Sequence, residues 1–205
     1  FTSVLKGIMK SDHNFRNYIL SRIILTANYA AIPLYAIHAH DKLDFHISEA
    51  GIFTALMVVA SGFSSFLAGK IGDRFGHKHA MVISFLAYLG ALIAALLAET
   101  LWHVYLIFIF MGVGKGGFIT SAMSLVYEFA GDNDKKIYFA LIDSLTAPFV
   151  LVAILLSGFF ISTGSIPPVL TVIGFILIAG ILALVFLTKE PRTLREVPIP
   201  REPQP

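Results

Sequence analysis

The chain contains no cysteine, a single tryptophan and little charge: only 14% of its 205 residues are Asp, Glu, Lys or Arg. Without cysteine there is no disulfide framework and no thiolate-ligated zinc or iron–sulfur centre. Soluble domains carry roughly a quarter charged residues, so the charge deficit excludes a single soluble globule. The same deficit excludes nucleic-acid binding, while the net charge of +2 says little, because in such a chain the placement of charge matters more than its sum. Also missing are a P-loop, a His-Glu-x-x-His pair and a Gly-x-Ser-x-Gly elbow, so neither ATP-driven pumping nor intramembrane hydrolysis is supported, no cofactor is called for, and no enzymatic activity is expected. What is present is apolar: 57% of residues are hydrophobic and the mean hydropathy is +0.80. At roughly 20 apolar residues per crossing, that is enough for about six membrane helices.

Six long apolar runs are found, at about 17–37, 50–69, 79–97, 103–127, 138–162 and 168–188. Each is nearly continuous and close to the length of a bilayer-spanning helix, whereas a membrane strand would be about 10 residues of alternating polarity. The chain therefore divides into a basic lead-in (1–16), an all-α transmembrane domain (17–188) and a tail (189–205) that holds five of the nine prolines and is expected to be extended and flexible. No cleavable signal peptide is visible, and Phe1 is not an initiator methionine, so the chain reads as part of something longer.

Lysine and arginine are retained on the cytoplasmic side of a membrane. With the start of the chain inside, twelve of the fifteen cations lie on that side, Lys42 alone lies outside, and Arg22 and Lys115 fall within spans. Both ends are thus expected in the cytoplasm. Trp102 and Tyr105 then lie at the outer headgroup level, where amphipathic aromatics are favoured.

The second and third runs are joined by Gly69-Lys70-Ile71-Gly72-Asp73-Arg74-Phe75-Gly76-His77-Lys78. Its glycines permit a tight reversal between helices, and the cations face headgroups and cytosol. The spacing Gly-x-x-Gly-Asp-Arg-x-Gly-x-Lys resembles the signature loop of the major facilitator superfamily of secondary transporters, with His77 where arginine or lysine is more frequent. That family is built from two six-helix halves, each an inverted pair of three-helix repeats. The lead-in Ser11 to Tyr18 resembles the approach to the seventh helix. Glu128, seven residues before Lys135, resembles the family's Glu-x6-Arg pair at the end of its tenth helix, with lysine for arginine. The resemblance therefore implies the C-terminal half, helices seven to twelve. It also implies a cytoplasmic gate that draws on Asp73, Arg74, Glu128 and Lys135, with Gly69, Gly76 and Lys78 in the signature loop; solvated surface charges are the other reading, and Lys136 reads as one. The residues after the last run, Thr188-Lys189-Glu190-Pro191-Arg192, lack the Pro-Glu-Thr-Lys-Gly type of motif of the sugar-transporter branch.

Three ionisable residues are placed deep in the spans: Arg22, Lys115 and Asp143. Each costs roughly 2.5 to 3.5 kcal/mol at a helix centre, so such residues face a partner or a watery cavity. By resemblance, all three fall on helices that line the substrate pathway, together with Asn28 and Tyr29. Arg22 and Asp143 enter from one side to similar depth, and an ion pair between them is one reading, a role in substrate binding or coupling the other. Lys115, within Gly112-Val113-Gly114-Lys115-Gly116-Gly117, has no carboxylate at its depth; it reads as a substrate or coupling residue, or as partner to an acid in the missing half. The stripe Gly117, Ser121, Ser124 and Glu128 reads first as helix packing. Thr54, Ser61, Ser64 and Ser65 are weaker lining candidates, and Pro33 and Pro148 predict kinks. Three histidines between His38 and His46 lie in an outer loop, and their spacing matches no metal site.

These observations predict a small-solute transporter working by alternating access, possible proton coupling included, whose partners are its substrate, the missing N-terminal half and the lipid bilayer, in a bacterial inner membrane. A six-helix membrane scaffold without transport of its own is the alternative.

Overall fold

A computed structural model describes residues 8, 10, 12–43, 47–132, 134–164 and 166–195. Among these the chain is helical without strands: α1 (His13–Leu25), α2 (Asn28–Leu43), α3 (Ile47–Phe75), α4 (His77–Leu96), α5 (Leu101–Ala130), α6 (Lys135–Thr163), α7 (Ile166–Leu187) and the short α8 (Pro191–Arg195). Taking α1 and α2 as one crossing, six are long and apolar enough to span a membrane.

The first crossing is not one helix, as the apolar run predicts, but two. The break falls at Thr26 and Ala27 rather than at Pro33, which sits inside α2. Around it the backbone tightens to three-residue spacing: Ala27, Tyr29 and Ala30 donate to the carbonyls of Ile24, Thr26 and Ala27. The Thr26 hydroxyl takes the Ile23 carbonyl at 2.6 Å. Pro33 has no N–H to offer the Tyr29 carbonyl, so helical bonding is weakened on both sides of the turn. The fifth crossing, by contrast, runs continuously through Pro148 to a left-handed Gly164 cap.

The signature segment is less a loop than a helix end. Helix α3 continues through Asp73 and Arg74 to Phe75, and a single residue, Gly76, reverses the chain into α4. Gly76 has φ 98°, a conformation open to glycine and strained for other residues.

Helix association within a bilayer depends on close packing and hydrogen bonds, because lipid is as apolar as the side chains. The glycines of α5 provide both. A Cβ at Gly112 or Gly116 would collide with the Met57 or Ser61 carbonyl of α3, and one at Gly114 or Gly117 with Tyr88 or Ser84 of α4. Into the same seam Ser64 donates to the Val113 carbonyl (2.6 Å) and Ser65 to that of Gly116 (3.0 Å). These serines, pathway candidates in the sequence, pack helices instead. Thr54 bonds within its own helix, to the Ala50 carbonyl. At the end where the chain begins, Phe15, Tyr18, Phe129 and Tyr138 form a ring cluster joining α1, α5 and α6. Large apolar side chains such as Phe186 (77% exposed) point outward, as lipid-facing residues do.

Candidate functional site

Two polar assemblies interrupt the apolar bundle. One is a cavity of about 460 Å³ between α1, α2, α4, α5 and α6, whose polar lining includes Arg22, Asn28, Tyr29, Asp143 and Thr146. Its volume lies within the usual range for small-molecule sites, about 300 to 1,000 Å³. The break between α1 and α2 shapes it, since Thr26 in the turn and Asn28 directly after it both line the cavity.

The ion pair between Arg22 and Asp143, one of the two readings of the sequence, does not form: the two side chains share the cavity, yet among the described residues neither joins an ion pair. Arg22 is held from behind instead. Its guanidinium carbon lies 4.5 Å from the Phe118 ring centroid, and Nη1 donates a long 3.5 Å bond to the Tyr18 hydroxyl. The side-chain oxygen of Asn28 is buried without a donor. Lys115 stands apart from these residues, exposed on α5 and outside the cavity lining. The glycines around it serve close approach to α3 and α4, not open space.

The second assembly gathers at the end of the bundle that carries the basic loops. Its centre is Arg192 of α8, which donates from Nε to Glu128 Oε1 at 2.5 Å and from Nη1 to the Asp73 carbonyl at 3.1 Å. Its Nη2 is also 3.9 Å from Asp73 Oδ1. The sequence pairing of Glu128 with Lys135 is thereby corrected, because Lys135 lies 5.4 Å over the Tyr127 ring. Arg74 likewise leaves Asp73 and rests 5.1 Å over Phe75. His77 places Nε2 between Asp73 (3.7 Å) and Glu128 (3.9 Å); a Cβ at Gly72 would occupy the space its ring takes. Gly69 meets nothing within 4 Å.

The segment from Lys189, expected as a free tail, is tied down as far as α8. Asn14 donates to the Lys189 carbonyl and accepts from its N–H, while Asn17 donates to the Leu187 carbonyl. Lys78 points its ammonium at the Val185 and Thr188 carbonyls (2.8 and 2.6 Å), where a cation offsets the negative end of α7. Glu190 is buried under the α3–α4 junction, filling the space a Gly76 Cβ would need and accepting the Lys78 N–H at 3.1 Å. Burial, and then the Glu128 carboxylate beside it, push its pKa up to about 7. Among the described residues each acid keeps one buried oxygen without a donor, Glu128 Oε2 and Glu190 Oε1. Residues 196–205, Arg201 included, lie outside the described residues, as do most of the lead-in and residues 44–46 of the histidine-rich segment. No cluster of three or more metal-ligating side chains occurs among the described residues.

Sequence reading missed Glu190 and Arg192. Their signal was local, two charges placed immediately after the last apolar run, at the end to which the signature segment also belongs. Tyr88, Phe118 and Thr146 were missed for a different reason: aromatic and hydroxyl residues inside membrane helices look the same in sequence whether they line a cavity or pack a seam.

Charged and small residues thus sit where a bundle of helices both encloses a polar cavity and closes one of its ends. A sequence model of the Major Facilitator Superfamily matches residues 18–205, and the chain belongs to that family as an integral membrane protein. Among curated proteins it is similar to the uncharacterized MFS-type transporter YhjO of Bacillus subtilis (strain 168), at 21% identity over 113 residues. The matched stretch covers 55% of this chain and 28% of that relative.

Proposed function

We propose that this chain is the C-terminal six-helix half of a secondary transporter that moves a small solute by alternating access, its cavity being this half's share of the substrate pathway. The observation that carries the reading is the unpaired coexistence of Arg22 and Asp143 in one intramembrane cavity. Charges placed at such depth without a partner mark pathways for ions and substrates. Family membership supports the same reading, and so does the bacterial MFS-type relative. The missing N-terminal half is the partner that would complete the cavity. Both chain ends then face the cytoplasm of a bacterial cell, and the cluster around Arg192 becomes part of the cytoplasmic closure. Asp143, free of Arg22, is the residue of this cavity suited to carry a coupling proton.

The experiment is uptake by the full-length protein in proteoliposomes, with a solute panel tested in the presence and absence of an inward proton gradient. Arg22→Gln and Asp143→Asn should each abolish uptake at equal membrane abundance. Wild-type rates in both variants would overturn the assignment of the cavity, and a parent reading frame without six preceding spans would favour the scaffold.

A further inference from the structure

The cavity presents a cation on α1 and an anion on α6, and neither is satisfied by the protein around it. Arg22 uses one long hydrogen bond and two ring contacts, over Tyr18 and Phe118, leaving most of its five N–H donors unused. Asp143 makes no side-chain hydrogen bond or ion pair among the described residues. Asn28, only 3% exposed, adds an acceptor oxygen without a donor. Between these polar groups the walls are apolar, built from Phe85, Tyr88, Phe118, Leu25 and Val150. A singly charged solute would neutralise one pole and leave the other without a counter-charge in the cavity. A neutral one would leave both.

Resting on the transporter reading above, the geometry points to a dipolar substrate: an oxyanion, such as a carboxylate, on Arg22, a protonated amine on Asp143, and an apolar spacer between them. The planar guanidinium suits two-point binding of a carboxylate. The ammonium has three donors, which suits the carboxylate of Asp143. Because the two protein charges form no ion pair with each other, a solute that carries both complementary charges can bridge them. The aromatic walls accept a flat or aliphatic spacer alike.

The test uses the full-length protein and three matched series: ω-amino carboxylates of increasing chain length, the same carboxylates lacking the amine, and the same amines lacking the carboxylate. Binding is read as the thermal shift of the purified protein, and transport as counterflow in proteoliposomes. One chain length should bind better than both of its singly charged counterparts by about tenfold or more. Asp143→Asn should erase its advantage over the carboxylate, and Arg22→Gln should erase its advantage over the amine. Arg22→Lys, which keeps the charge, should retain part of the preference and shows that the site still folds. Equal binding of the dipolar and singly charged series at every length overturns the inference, as does a loss in both variants that does not discriminate between series. Transport of singly charged solutes alone would leave the transporter reading standing and remove this one; failure of all three series and of the wider solute panel to move under any gradient would remove the transporter reading itself.

Discussion

Glu190 shows how one side chain can make a contact depend on pH. Its pKa of about 7, against an ordinary 4.5, comes from burial and the adjoining Glu128 carboxylate. The docked segment therefore holds a proton that a released segment gives up. Its stabilising share is complete below about pH 4.5 and is lost as pH rises through about 7. We expect the thermal midpoint of the wild-type protein to fall between about pH 5 and about pH 8, and the Glu190→Gln protein to lose that part of the slope while keeping an acceptor for the Lys78 N–H. An identical pH slope in the two proteins would show that the proton resides elsewhere. Arg192 allows a second test at this scale. Arg192→Ala strips Glu128, whose side chain is only 13% exposed, of its cation, and should destabilise by roughly 1 to 3 kcal/mol. Arg74→Ala, which loses a ring contact alone, should stay within about 0.5 kcal/mol. Chemical denaturation of the two variants side by side checks the contrast, and it would reverse if the family-like pairing of Asp73 with Arg74 prevailed in the membrane.

Among the helices, α5 depends most on what its residues lack. Gly112 and Gly116 face backbone of α3, which cannot move aside as a flexible side chain can. Gly116→Val should therefore separate α3 from α5 and abolish the well-folded detergent-soluble species, as seen by size-exclusion chromatography. Gly69→Ala, in open surroundings, should be neutral or stabilising by about 0.5 to 1 kcal/mol, the usual penalty of glycine within a helix. A monodisperse, heat-stable Gly116→Val protein would refute the packing argument. The same helices show why some of the architecture was legible in sequence and some was not. Six apolar runs announce six crossings because burial in lipid requires length and continuity, and the Gly-Asp-Arg spacing locates the α3–α4 reversal because only Gly76 tolerates its backbone. The break at Thr26 carries no such mark. It depends on a hydroxyl, an amide and a downstream proline acting together, and sequence alone assigns the irregularity to Pro33. The partners of Glu128 and Asp73 were illegible for a related reason: Lys135 and Arg74 are near in sequence, whereas Arg192 is brought in by the folding of α7 and α8, which spacing does not encode.

At the scale of the whole molecule, exposed surface has two meanings. Helices α3 and α6 are the least buried of the spans, and α6 carries Asp143 and Ala147 into the polar cavity while turning Phe149 and Leu155 outward. On the transporter reading, the cavity side meets water and substrate, and the other meets lipid. The absence of cysteine makes the distinction measurable, since a single introduced thiol is the chain's only one. Thiolates form in water and are suppressed in hydrocarbon, so a charged, membrane-impermeant thiosulfonate reagent reports hydration rather than exposure. In the full-length protein with any other cysteines removed, we expect Ala147→Cys, at the cavity, to react at least about 100-fold faster than Phe186→Cys on α7, because a depressed thiolate fraction scales rate by tenfold per pKa unit. A dipolar ligand that occupies the cavity should slow the Ala147→Cys reaction and leave Phe186→Cys unaffected. Comparable slow rates at both positions would mean that the polar lining is sealed inside a packed interface, and a scaffold rather than a pathway would then be the better account of the unpaired charges.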